Sequence, residues 1–160
     1  MTKLAAILAL AFSLHAEPHT YSIDASHATA QFSVRHLMVS NVKGTFGKFS
    51  GTAVWDPSNL AAAKLEATID VASVDTNQVK RDAHLRSADF FDAEKFPAMT
   101  FQSTRFHKAG SQLKMTGQLT IKGITKEVTF DIDGPTEAIK DQRGIYRRGA
   151  SATATINRKD

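Results

Sequence analysis

A hydroxyl and an imidazole are adjacent at Ser26 and His27, and a nucleophilic hydrolase needs those two groups within hydrogen-bond reach. Neighbouring side chains of an extended segment point to opposite faces, so we do not expect these two to meet on a strand. The nucleophile motif G-x-S-x-G is not formed either, since Ser50 stands one position late in residues 47–51. The sequence therefore assigns no catalytic residue, and hydrolysis remains the less favoured alternative.

Histidine is the other residue type that could do chemistry here, as a ligand of a metal ion. His27, His36, His84 and His107 are spread along the chain without the H-x-H or H-x-x-x-H spacing of many metal sites. The chain contains no cysteine, which excludes disulfides, thiolate metal sites and cysteine nucleophiles. We predict no metal site and no cofactor.

The elements that would position these side chains are mostly β-strands. Apolar and polar residues alternate with period two in residues 30–36, 65–71, 113–121, 128–132 and 150–156. A further strand is expected at residues 99–106. Residues 44–55 also have the character of a strand, but Phe46 and Phe49 are three apart beside Gly47 and Gly51, which predicts a bulge or a sharp coil. Evenly spaced strands favour an antiparallel sandwich or barrel, and only a closed barrel leaves room inside for one small ligand.

One segment, residues 77–92, lacks the strand pattern. It has no β-branched residue after Val79, and Val79, Ala83 and Arg86 recur at helical spacing. Ser87 is placed to cap a second short turn. We predict a short helical lid that crosses the sheet.

The amino terminus predicts export. Lys3 precedes an apolar run over residues 4–14, and Ala16 offers a small residue for cleavage, the order found in secretory signal peptides. We therefore predict a signal peptide over residues 1–16, a single domain over residues 17–160 and a periplasmic location. The run is too short to span a bilayer as a helix, so the mature chain has no predicted transmembrane segment.

The charge distribution argues against nucleic acid as a partner. The chain carries 20 Lys and Arg against 16 Asp and Glu, a net charge of +4. These charges are interspersed, with dense basic spots at residues 147–148 and 158–159. A nucleic-acid binder usually gathers its basic residues into a stripe.

Four stretches form a recognisable pattern. They are FSVRHL at residues 32–37, SVDT at 73–76, RDAHLRSADFFD at 81–92 and TGQLTIKGITK at 116–126. In this order and spacing they resemble the YceI-like family of bacterial periplasmic polyisoprenoid-binding proteins, and the likeness runs from Tyr21 to Asp160. The resemblance implies an all-β, mainly antiparallel, lipocalin-like β-barrel with a short helical lid. It also implies that the barrel holds one long-chain amphiphile, such as an isoprenoid, a prenyl quinone or a fatty amide.

The resemblance gives the apolar residues a function, since they would line a pocket for a hydrocarbon tail. The implied wall comprises Phe32, Val34, Phe46, Phe49, Leu65, Ile69, Leu85, Phe90, Phe91, Met99, Phe101, Leu113, Met115, Leu119 and Phe130. Three polar residues are implied contacts of the lipid headgroup: His36, Arg81 and His84. In the alternative interpretation the apolar residues fill the solid core of an interaction module, and Asp82 merely pairs with Arg81 or Arg86.

Family members usually continue beyond the stretch that here reads INRKD at residues 156–160, and the continuation forms closing strands. We therefore expect the barrel to be incomplete at the carboxyl end, with a free edge at residues 150–156. An unpaired strand can pair with another chain, so we expect association and poor lipid retention. The oligomeric state, the native lipid and the choice among transport, storage and sequestration stay open.

Overall fold

The computed structural model describes residues 19–157, and these residues are mostly strand. Seven strands form the main sheet, in the spatial order β1-β4-β5-β7-β8-β9-β12. Their bounds are β1 His19–Ser22, β4 Phe49–Trp55, β5 Lys64–Asp70, β7 Ala98–Ala109, β8 Gln112–Ile121, β9 Ile124–Asp133 and β12 Ser151–Thr153. Because β12 comes last in this order, it is an edge of the main sheet among the described residues.

A second sheet has three strands in the order β2-β3-β6. They are β2 Ala30–His36, β3 Ser40–Phe46 and β6 Val74–Asp75, while the short β10 Ile139–Lys140 pairs with β11 Tyr146–Arg147. One α-helix, α1, spans Val79–Arg86, and two 3-10 turns span Leu60–Ala62 and Val71–Ser73. Within residues 19–157, no helix has the length and the apolar character needed to cross a membrane. The predicted signal peptide, residues 1–16, lies outside the described residues.

Every strand pairing is antiparallel. The main sheet is curled into a half barrel, which confirms the predicted fold class. The alternating segments of the sequence correspond to β2, β5, β8, β9 and β12. The strands β1, β6, β10 and β11 were not predicted, because each has four residues or fewer and shows no alternation.

The chain turns a corner at Gly47, where it leaves the second sheet and enters the main sheet. The Gly47 backbone N–H donates to the Ser73 carbonyl at 3.1 Å, and that of Lys48 donates to the Ser73 hydroxyl at 3.0 Å. The strands on either side end at Phe46 and begin at Phe49. The bend that the spacing of these phenylalanines predicted is therefore a change of sheet, held by Ser73.

A β-bulge sets the orientation of the second half of β7. Ser103 pairs with Gly117 and Arg105 with Thr116, so Thr104 is an extra residue in the ladder. One extra residue reverses the alternation of faces beyond it. Phe106 consequently lies on the same face of the sheet as Phe101, although the two are five residues apart.

The buried residue of helix α1 is Asp82, and not Val79 of the helically spaced set. Val79 is 84% exposed, whereas Asp82 is buried. Two hydrogen bonds from the Arg86 guanidinium, to the carbonyls of Ala72 (2.8 Å) and Val74 (2.7 Å), hold the helix against the segment before it. The Ser87 hydroxyl donates to the His84 carbonyl at 2.7 Å, so Ser87 closes α1 rather than capping a second turn.

Candidate ligand-binding site

The apolar residues of the main sheet lie largely on one face, which carries Leu65, Phe101, Met115 and Phe130 and is called the inner face below. They form two clusters. The helix-end cluster joins the predicted wall residues Phe32, Phe46, Ile69, Leu85, Phe91 and Met99 with Val71 and Val74. The open cluster joins the predicted wall residues Leu65, Phe101, Leu113, Met115, Leu119 and Phe130 with Phe106 and Ile132.

The helix-end cluster is filled by its own side chains. Phe46 is 6% exposed and packs between Phe32, at 5.5 Å between ring centroids, and Phe91, at 5.9 Å. The Phe32 ring also covers Gly44 so closely that a Cβ there would lie 2.4 Å from Cζ of the ring. This end of the molecule has the packing of an ordinary core.

The open cluster leaves apolar surface accessible on the inner face. Phe101 is buried over Gly117, where a Cβ would lie 2.5 Å from its ring, and its centroid is 5.0 Å from that of Phe130. Around this centre the side chains are only half-buried, and they come from four consecutive strands of the sheet: Leu65, Phe106, Leu113, Leu119 and Phe130. Such a surface can receive a hydrocarbon chain without displacing the core beneath it.

Three predicted wall residues lie outside both clusters. Val34 is 47% exposed, because β6 pairs with β3 only at Thr45 and Phe46 and so stops short of it. Phe49 stands at the start of β4, just after the corner. Phe90 packs edge-on against His84, at 4.8 Å between ring centroids, whereas its neighbour Phe91 joins the helix-end cluster.

The three predicted headgroup residues are not brought together. Arg81 donates to the hydroxyl and the carbonyl of Thr76, at 2.7 and 2.8 Å. His84 lies 3.1 Å from a carboxylate oxygen of Asp89. His36 is exposed at the far end of β2. Two of these side chains are thus engaged in holding α1 and the turn after it, and the third stands on another sheet.

Ser26 and His27 do meet, contrary to the expectation from their adjacency. They lie in a turn rather than on a strand, and Ser26 Oγ is 3.0 Å from His27 Nδ1. Asp24 accepts from the Ser26 hydroxyl at 2.5 Å and contacts the same His27 nitrogen at 3.0 Å. A catalytic relay places its serine on Nε2 and its carboxylate on Nδ1, so this arrangement is a turn and not a triad. Hydrogen bonds, first from the Ser26 hydroxyl, hold the pKa of Asp24 well below its usual range.

The comparisons with known proteins agree on one family. The family model described as YceI-like domain matches residues 21–160. The protein YceI of Escherichia coli O157:H7 is 44% identical over 142 residues, which are 88% of this chain and 74% of the relative. The chain belongs to the YceI-like family. Among solved structures, the Campylobacter jejuni YCEI protein is 39% identical, with a TM-score of 0.64 over 82% of this chain and 77% of that one.

A more distant structure shares the fold of this YceI-like domain. A polyisoprenoid binding domain from Saccharophagus degradans has a TM-score of 0.51 over 76% of this chain and 71% of that one. The two sequences are only 11% identical, so this likeness concerns the fold alone.

Two polar residues of the YceI-like domain lie on the inner face although the sequence patterns did not single them out. Trp55 packs edge-on against Phe106 at 5.9 Å, and its buried Nε1 has no hydrogen-bond partner among residues 19–157. Lys126 is exposed and stands opposite Leu119 in the ladder between β8 and β9. The sequence did contain a signal for Lys126. It lies two residues before Val128 and four before Phe130, so the period-two pattern of a strand puts it on the same face as these two residues. For Trp55, the sequence signal was limited to its position at the end of the strand-like residues 44–55.

A cleft of about 260 Å³ lies between β9 and β12, away from the predicted wall. It is lined by Asp133, Gly134, Thr136, Gly149, Ala150 and Ser151, none of which belongs to that wall. Within residues 19–157, no three side chains of the metal-binding types come close enough together to hold an ion. The four histidines that the sequence offered lie on a turn, on β2, on α1 and on β7.

Proposed function

We propose that the chain is a periplasmic carrier that holds a long-chain amphiphile, such as a polyisoprenoid, a prenyl quinone or a fatty amide, against its inner face. The observation that carries the proposal is the open cluster, in which four consecutive strands present half-buried apolar side chains around Phe101. Hydrocarbon that covers such a surface gains roughly 0.8 kcal/mol per buried methylene. Binding therefore needs no reactive group, and we propose no catalytic role.

The fold supports the chemical class of the ligand. The Saccharophagus degradans structure with the same fold is described as a polyisoprenoid binding domain. An isoprenoid is a branched hydrocarbon with one polar end, which suits an apolar wall bordered by a few polar groups. The periplasmic location is supported by the order of charge, apolar run and small residue in residues 1–16.

The polar end of the ligand has two partners on the inner face. The Trp55 Nε1–H is a buried donor, and a tryptophan N–H in such a place usually finds an acceptor. Lys126 brings a cation to the edge of the apolar wall beside Leu119. Both groups donate hydrogen bonds, so the ligand would present an acceptor such as a carbonyl, a hydroxyl or a phosphate oxygen.

A second candidate function is an interaction module with a solid core, and the helix-end cluster favours it. Val74 is fully buried and Phe46 is 6% exposed, so this region leaves no apolar wall for a ligand. The two functions differ in one measurable property, because only a carrier takes up a lipid.

The single tryptophan makes that property easy to measure, since Trp55 lies beside the open cluster. Titration of the purified chain with a prenyl quinone, which quenches indole fluorescence, should give saturable quenching near one equivalent. Leu113→Ser should weaken the affinity about ten-fold, because it removes one apolar side chain from the wall. Lys126→Gln should weaken it several-fold, whereas Lys64→Gln, an exposed lysine outside the inner face, should change nothing.

Quenching that rises linearly without saturation would favour the solid-core module. So would equal affinities of Leu113→Ser and the unaltered chain, provided that circular dichroism shows both to be folded.

A further inference from the structure

The hairpin of β2 and β3 projects beyond the rest of the second sheet. The strands pair with each other from Ala30 with Phe46 to His36 with Ser40. The third strand, β6, reaches only the base of the hairpin, at Thr45 and Phe46. The far half of the hairpin therefore has no ladder partner but itself among the described residues.

The end of this projection is apolar and exposed. Leu37, Met38 and Val39, called the hairpin tip below, are 79%, 79% and 81% exposed, and Val34 beside them is 47% exposed. Exposure of consecutive large apolar side chains to water is unfavourable. Exposed clusters of such side chains often mark sites that interact with a membrane or with another protein.

The turn itself does not require these residues. Leu37 and Met38 both have positive φ, of 49° and 59°, and the Val39 N–H closes the turn on the His36 carbonyl at 3.0 Å. Asn and Gly are the residues that adopt a positive φ most readily in hairpin turns. Leucine and methionine are strained in this conformation, so a property other than the turn accounts for them.

The charged side chains around the tip are basic. Arg35 and Lys43 flank the apolar residues, and no Asp or Glu occurs from Ala30 to Phe46. The Arg35 guanidinium donates to the Met38 carbonyl at 2.9 Å, which holds the tip in place. Across the base, the nearest acidic residue in the ladder is Asp75, opposite Thr45.

We propose that the hairpin tip docks the protein on an anionic lipid bilayer, with Leu37, Met38 and Val39 in the interfacial region and Arg35 and Lys43 on the headgroups. Apolar side chains at the boundary with basic residues behind them are the arrangement of interfacial membrane binders. A convex tip of three residues is too small for a stable protein interface, which buries about 800 Å² per partner. The proposal rests on the hairpin alone and is independent of the lipid that the inner face would hold.

Vesicle flotation tests the proposal on the chain from Glu17 onward, since the apolar run of residues 4–14 would itself bind lipid. The protein should float with vesicles of equal phosphatidylcholine and phosphatidylglycerol, less so at high salt, and not with phosphatidylcholine alone. Exchanging the two turn residues, Leu37→Asn with Met38→Gly, should lower partitioning at least about ten-fold, because two apolar side chains leave the interface. The same exchange should leave thermal stability equal or higher, because it relieves the turn.

Two further variants keep the result interpretable. Val39→Ser leaves both positive-φ residues in place and should also weaken flotation. The matched control is Val79→Ser with Ile124→Ser, which removes two exposed apolar side chains from α1 and β9 and should float as the unaltered chain does. The proposal is overturned if the unaltered chain does not float, or if the control loses as much as the tip variants. If the unaltered chain did not float, and light scattering showed a dimer that Val39→Ser abolishes, the hairpin tip would instead be a contact with a second copy of the chain.

Discussion

Asp82 lies buried at the centre of a small polar network at the start of α1. Its Oδ1 accepts from the Thr76 backbone N–H at 2.9 Å and from the Thr76 hydroxyl at 2.5 Å. The same hydroxyl oxygen accepts from Arg81 Nε at 2.7 Å. The Thr76 hydroxyl, more than any other group, holds the pKa of Asp82 below its usual value. These side chains fix the segment that leads from β6 into α1.

The network predicts how stability depends on pH. The pKa of Asp82 is lower in the folded chain than in the unfolded chain, so the unfolded chain binds more protons as acid is added. The stabilisation from Asp82 is present above its ordinary pKa of about 4 and is lost as the pH falls through the folded value. Urea unfolding between about pH 7 and about pH 3 should show this loss, and Asp82→Asn should make the profile shallower.

Asp133→Asn, which removes an exposed carboxylate at the end of β9, is the control for that experiment. If both substitutions changed the pH profile equally, the network around Thr76 would have no special effect on Asp82. Asp24 and Asp141 also have lowered pKa values, Asp141 chiefly through the Ile145 backbone N–H, so part of the acid dependence should remain.

At the scale of elements, α1 and the turn after it separate two neighbouring aromatic rings. Phe91 packs on Phe46 within the helix-end cluster, whereas Phe90 packs on the exposed side chain of His84. The sequence placed both rings on one wall, because a turn gives no periodicity from which two adjacent residues could be told apart.

Substitution of these two residues should have unequal effects. Phe91→Ser should lower the free energy of unfolding by about 3 kcal/mol, near the low end for core phenylalanines because Phe91 is only half-buried. Phe90→Ser should cost less than about 1 kcal/mol, as expected outside the core. Chemical denaturation of the two variants side by side measures the difference. Equal losses would mean that the turn presents both rings to the core.

The strands show which features a sequence can predict and which it cannot. Alternation in residues 113–121 and 128–132 gave Met115 and Phe130 an apolar face each, and the structure brings both residues together with Phe101. Phe106 was left out because it is out of phase with Phe101, and only the bulge at Thr104 returns it to the inner face. The bulge at Thr104 has no glycine or other sequence signature, so period-two reasoning fails beyond it.

At the scale of the whole molecule, the predicted apolar wall is divided into a filled end and an open end. The sequence could identify the apolar face but not this division, since burial depends on what α1 and residues 71–76 cover. Arg81, an implied headgroup contact, donates two hydrogen bonds to Thr76, which its place in the predicted lid did not reveal. Trp55 and Lys126, on strands far apart in the chain, are two polar groups that the inner face does carry.

Native mass spectrometry of the purified chain tests most directly whether the inner face holds a lipid. We expect a bound mass of a long-chain lipid, at up to one per chain, that organic extraction removes and a prenyl quinone replaces. A bare polypeptide that takes up neither a prenyl quinone nor a fatty amide would contradict it.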